Sequence, residues 1–249
     1  MLTYILAGIA LVVLGITGYV ARMRAATRRL ARDLVPGIQA MRRLASQEVR
    51  YRPLRSDESI PADAAHLFDQ AQRELTAQGL VVLGDLMEQP PEGSPAPTRW
   101  FIDKTQTVCG WFGVLRNKAK GTIKPVMMFF SEGLRDAFFI TGRGTTGTAT
   151  AQPATNHRMW LEWDIGLAET LRRHQAQLTG KGGAATEQAA TIEAGPALVG
   201  RLRERTARWR ASRPPRELLE EDVRGLVGDH WDYLGPTVVR LLAADATQT

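Results

Sequence analysis

Apolar residues fill the first 21 positions, MLTYILAGIALVVLGITGYVA, without any polar period, and none of those side chains is charged. A helix rising about 1.5 Å per residue would carry such a run roughly 32 Å, the hydrocarbon thickness of a bilayer. The run therefore predicts a transmembrane anchor over 1–21. No Lys or Arg precedes it, and Arg22, Arg24, Arg28, Arg29 and Arg32 follow where a small-residue cleavage site would lie. A retained anchor fits these flanks better than a cleaved secretory signal.

After the run the pattern becomes periodic. Met23, Thr27, Leu30, Leu34, Gly37, Met41, Leu44 and Glu48 alternate spacings of four and three, which predicts a basic amphipathic segment over 22–55. Pro36 and Gly37 predict a break near Val35 between two shorter helices. Pro61 opens a second periodic stretch through Ala64 or Ala65, Phe68, Ala71 and Leu75, and Gly79 is placed to close it. LVVLGDLM then reads as a buried strand, and QPPEGSPAPT over 89–98 as a loop.

Strands are expected near 99–103, 107–116 and within TIKPVMMFFS, followed by a turn at Ser131, Glu132 and Gly133 and by DAFFITG. A Gly/Thr loop over 142–155 precedes a helical pattern through Leu167, Leu171, His174 and Leu178. KGGAATEQAA reads as a flexible linker near 180–190. Helices follow at 197–210 and 216–234, and Gly235 and Pro236 are read as separating the latter from TVVRLLAAD. Consecutive strands with few helices between them predict an α+β fold. The expected organisation is one N-terminal transmembrane helix and then a soluble domain over 56–249. That domain should hold packed helices and a mainly antiparallel sheet of about four to five strands within 80–141.

Charge sharpens this picture. Residues 21–55 hold 10 arginines against Asp33 and Glu48, whereas 56–249 hold 22 Lys and Arg against 24 Asp and Glu. The basic balance thus belongs to one short segment, which argues against nucleic acid as a partner. Beside an anchor, the positive flank predicts an inner-membrane, single-pass protein with its N-terminus outside and its C-terminal domain in the cytoplasm. Arg22, Arg24, Arg28, Arg29 and Arg32 are the expected contacts to anionic lipid headgroups.

The residues that carry chemistry are sparse. Cys109 stands alone, which excludes an internal disulfide, and its strand context TVCGWFG reads as core. GRGTTGT lacks both the GK[ST] end of a P-loop and the GxGxxG spacing of a dinucleotide fold, so the 142–155 loop reads as a connection, with anion binding as the alternative. Lys181 follows Gly180 without the Ser or Thr a phosphate loop needs. His157 and His174, with Asp164 or Glu169, are the one set close enough in the chain to consider for a metal, and they lack metal-ligand spacing. Ser131 lacks a nucleophile elbow. Neither a metal nor a cofactor is called for, and catalytic residues cannot be assigned. In RLRERTARWR, Arg201, Arg205 and Arg208 share one helical side near Trp209, a candidate surface for a membrane-associated protein partner. The sequence thus favours a membrane-tethered interaction or accessory module over a membrane-anchored enzyme, hydrolytic or metal-assisted, at the cytoplasmic surface.

Overall fold

Consecutive apolar pairs such as Trp100-Phe101, Phe129-Phe130 and Phe138-Phe139 decide the architecture, because side chains alternate across a strand and each pair must be buried on opposite faces. In the computed structural model, Phe101, Phe129 and Phe139 share one core with α2 (Ala62–Ala77) and α3 (Leu167–Gly180). Trp100, Phe130 and Phe138 share another with α4 (Ala194–Ala211). The sheet between them has seven strands in chain order: β1 (Arg50–Pro53), β2 (Leu80–Gln89), β3 (Ala96–Asp103), β4 (Cys109–Asn117), β5 (Thr122–Glu132), β6 (Phe138–Arg143) and β7 (Asn156–Leu161). Neighbours from β1 to β6 pair antiparallel, and β7 pairs parallel with β6. The structure describes the backbone of residues 2–46, 49–90, 94–117, 121–144, 150–181 and 185–246, and their side chains except those of 2–18, 44–46, 117, 135 and 245–246.

Each helix of this unit is placed by its apolar period. Ala64, Phe68, Ala71 and Leu75 of α2 are buried, as are Leu167, Leu171, His174 and Leu178 of α3. Arg99 pins α2 to the sheet: it makes a bidentate pair with Asp85 at 2.8 and 2.9 Å and donates to Gln72 at 2.8 Å. A bulge between Val82 and Gly84 bends β2, and Gly84 takes φ of +145°, a conformation only glycine adopts readily.

The chain divides into two compact units. The sheet and α2 to α4 lie in the unit formed by 47–147 and 152–212. The other unit, 1–46, 148–151 and 213–249, packs α1 (Leu2–Ser46), α5 (Pro215–Val227) and α6 (Trp231–Ala246) around Ala31, Val35, Ile38, Val223, Val238 and Leu242.

Several expectations are corrected here. The sheet has seven strands rather than four to five and extends from residue 50 to 161, beyond the 80–141 interval. Ser131 and Glu132 end β5 instead of forming a turn. The helix does not break near Val35; α1 runs through Pro36 to Ser46. An interior proline costs about 3 kcal/mol. Here Val35 and Ile38 flank it in the core, and Arg42 pairs with the buried Asp222, so packing holds the last turns in line. α6 likewise runs through Gly235 and Pro236.

The transmembrane helix is the largest correction. Among the described residues no helix is long and apolar enough to cross a membrane. The apolar run belongs to a single 45-residue helix whose later turns carry the arginines, and the side chains of 1–18 lie outside the described residues. The single-pass inner-membrane topology, the lipid contacts of Arg22, Arg24, Arg28, Arg29 and Arg32, and the membrane tether that framed the expected function all rested on that span and fall with it.

Candidate functional site

Three polar side chains with no exposure meet beneath α3: Ser131 from β5, Thr141 from β6 and His174 from α3. The Ser131 hydroxyl donates to the Thr107 carbonyl at 2.7 Å, which uses its only proton. Its 3.0 Å contact with His174 Nε2 must then be donation from the ring to Ser131 Oγ. Nδ1 is left as the acceptor, and the Thr141 hydroxyl supplies it at 2.9 Å. The Gln177 carboxamide lies 3.4 Å from Thr141 Oγ1, and turning its NH2 toward that oxygen completes the chain of donors. His174 is thereby fixed as the neutral Nε2–H tautomer, and burial pushes it down to about pKa 3.

This direction of donation decides the chemistry. A serine nucleophile hands its proton to the imidazole, whereas here the imidazole donates to the serine, and the serine's proton rests on a backbone carbonyl. The cluster is a satisfied polar network in a core that also holds Phe129, whose ring centroid is 5.9 Å from His174. Sequence reading missed the pairing because Ser131 and His174 are 43 residues apart; the lone polar residue ending MMFFS was its only trace.

The remaining candidates are dispersed. His157 lies tilted against Phe139 with ring centroids 4.9 Å apart, and burial and the nearby Lys181 hold its pKa below the usual histidine value. Glu169 pairs with Arg172 and Arg173, which depress its pKa, and Asp164 lies between β7 and α3. No group of three metal-ligating side chains occurs among the described residues. Cys109 is buried at 1% exposure, and burial pushes its thiol up to about 12, far from a reactive thiolate. In the Gly/Thr loop, 145–149 lie outside the described residues; Gly142 belongs to β6, and Gly144 takes φ of +74°.

A cleft of 350 Å³ opens between β2 and the β3–β4 turn, walled by Val81, Leu83, Ile102 and Ala190. Its carboxylate, Asp103, accepts from the Thr107 and Val108 N–H groups at 2.8 and 2.9 Å and from the Thr105 hydroxyl, so it serves the turn. On the α4 face, Tyr51 lies opposite Glu88 in the β1–β2 register, and burial raises the pKa of both while the Arg203 charge opposes the shift.

The basic helix α4 spends part of its charge internally. Arg201 pairs with Glu132 at 2.7 Å and reaches Gln188 at 2.6 Å. Arg205 donates to Thr155 and lies over the Phe138 ring at 5.3 Å. Arg208 is exposed beside Glu204, and Trp209 is half-buried. The 185–188 stretch after the glycines is tied as well: Thr186 N–H donates to Glu132 O, and Gln188 N–H to Gln106 O.

In the helical unit the buried carboxylate of Asp222 accepts from Arg42 Nε at 3.0 Å and from Ala151 N–H at 2.7 Å. That leaves the outer side of α1, where Val20, Met23, Leu30 and Leu34 are 38, 51, 52 and 36% exposed. No family model, curated protein or solved structure matches the chain. The functional reading therefore rests on this geometry. Four large apolar side chains form one exposed stripe along this helix, while the polar groups of the Ser131–Thr141–His174 cluster and of Asp222 are engaged within the fold.

Proposed function

We propose that the chain is a protein-binding module that works through the outer stripe of α1. The observation that carries this reading is the exposure of Met23 and Leu30 at half their surface on the same helix that buries Ala31, Val35 and Ile38. A helix needs one apolar stripe to pack on its own unit, and this helix carries two. Catalysis is the weaker reading, because Ser131 and His174 are sealed and oriented against proton abstraction, and Cys109 is held as a thiol.

A photo-crosslinking amino acid placed at Leu30 should give one discrete adduct in intact expressing cells, and the same residue at Arg29, around the helix, should not. Absence of any discrete adduct from position 30, or equal adducts from both positions, overturns the reading.

A further inference from the structure

We infer that the occupant of the α1 stripe is a second copy of this chain, paired in parallel and in register as a two-stranded coil; this rests on the reading of α1 as a binding arm. Val20, Met23, Thr27, Leu30, Leu34, Gly37 and Met41 recur at spacings of three and four along one continuous helix. That repeat is the a and d pattern of a left-handed coiled coil, with Val20, Thr27, Leu34 and Met41 at a and Met23, Leu30 and Gly37 at d.

The charges favour self-pairing. The flanking e and g positions hold Tyr19, Arg24, Ala26, Ala31, Asp33, Ile38 and Ala40, so a single arginine borders the seam. Arg22, Arg28, Arg29 and Arg32 fall at b, c and f, turned away from a partner helix. Two copies can approach without opposing their arginines. In parallel register the g residue of one helix faces the following e residue of the other, which sets Arg24 across from Tyr19 of the second copy, a cation beside an aromatic ring. An acidic partner drawn by the arginines would approach the opposite side and leave the apolar stripe bare.

The seam is also ready to be dry. The Thr27 hydroxyl donates to the Met23 carbonyl at 3.0 Å, which satisfies its proton within the helix. At Gly37 a Cβ would meet open space, so among the described residues nothing packs on the seam at that position. α5 and α6 take the neighbouring side, through Ala31, Val35 and Ile38, and Val20, Met23, Leu30 and Leu34 on the seam stay exposed.

Cysteine scanning in the full chain tests this. Cys109 is buried and stays silent. Met23→Cys and Thr27→Cys place thiols on the seam, where residues meet their own counterparts within the reach of a disulfide, about 7 Å between Cα atoms. Oxidation in intact expressing cells should move the greater part of either variant to twice the 27.5 kDa chain mass on a denaturing gel. Arg29→Cys and Arg32→Cys should stay at the monomer position. Failure of both seam variants to dimerise overturns the second copy, and so does dimerisation of all four variants alike. If the photo-adduct at Leu30 forms at another mass while the seam cysteines stay monomeric, the binding arm stands and its occupant is a different protein. If neither crosslink forms, both readings fall.

Discussion

His174 is kept neutral by its surroundings: its Nδ1 lone pair is filled by the Thr141 hydroxyl, and no water reaches the ring. An unfolded histidine takes up a proton near pKa 6.5, whereas this one does so only near 3. Below 6.5 the unfolded chain binds a proton that the native chain refuses, so stability contributed above that value is lost as pH falls from 6.5 toward 3. The limiting slope for one such group is about 1.4 kcal/mol per pH unit. Denaturant unfolding measured across this window should show the native chain losing stability more steeply than His174→Gln, which has nothing to protonate there. Coincident slopes would mean that water reaches the ring. The sequence placed this histidine on the inner face of its helix, since Leu171 and Leu178 bracket it at helical spacing. It could not supply Ser131 and Thr141, because their approach depends on strand pairing between segments far apart in the chain.

Among the elements, α4 shows how closely a helix can lie on a sheet. Gly195, in its first turn, faces the Trp100 ring, and a Cβ there would collide with the indole and come within 3.1 Å of Cys109 Sγ. Five residues on, Gly200 faces open space. The same substitution should therefore act in opposite directions. Gly195→Ala should cost about 1–3 kcal/mol, since either the helix or the buried indole must shift. Gly200→Ala should gain about 0.5–1 kcal/mol by removing glycine's freedom from a helix interior. Thermal unfolding of the two variants checks the contrast; a stabilised Gly195→Ala would show that α4 lies farther from Trp100. Elements were legible where polar and apolar residues interleave, as in α2, where Phe68, Ala71 and Leu75 are buried as expected and Ala64 rather than Ala65 takes the fourth inward position. They were illegible where partners supply the order. RYRP forms β1 through its pairing with β2, and NHRMWL forms β7 by parallel pairing with β6; neither segment alternates strongly enough to read as a strand alone. Pro36 misled for the same reason, because the packing of Val35 and Ile38 outweighs a local helix breaker.

For the molecule as a whole, the chain order of the strands sets what can fold independently. β1 to β6 form a meander in which each strand pairs with the next, so most of the sheet closes through short connections rather than distant ones. The unit holding the sheet buries both faces with its own helices, α2 and α3 on one side and α4 on the other. The helical unit has a separate core around Val223 and Val238. Ala151, between β6 and β7, belongs to the helical unit, where its N–H donates to Asp222. A fragment spanning 49–212 would release that hydrogen bond and keep both sheet cores intact. It should unfold in a single cooperative transition, with near-ultraviolet dichroism from the buried Trp100 retained and the acid sensitivity of His174 unchanged. A fragment that kept its secondary structure but lost the Trp100 signal would show instead that the sheet unit depends on α1, α5 and α6 for its packing.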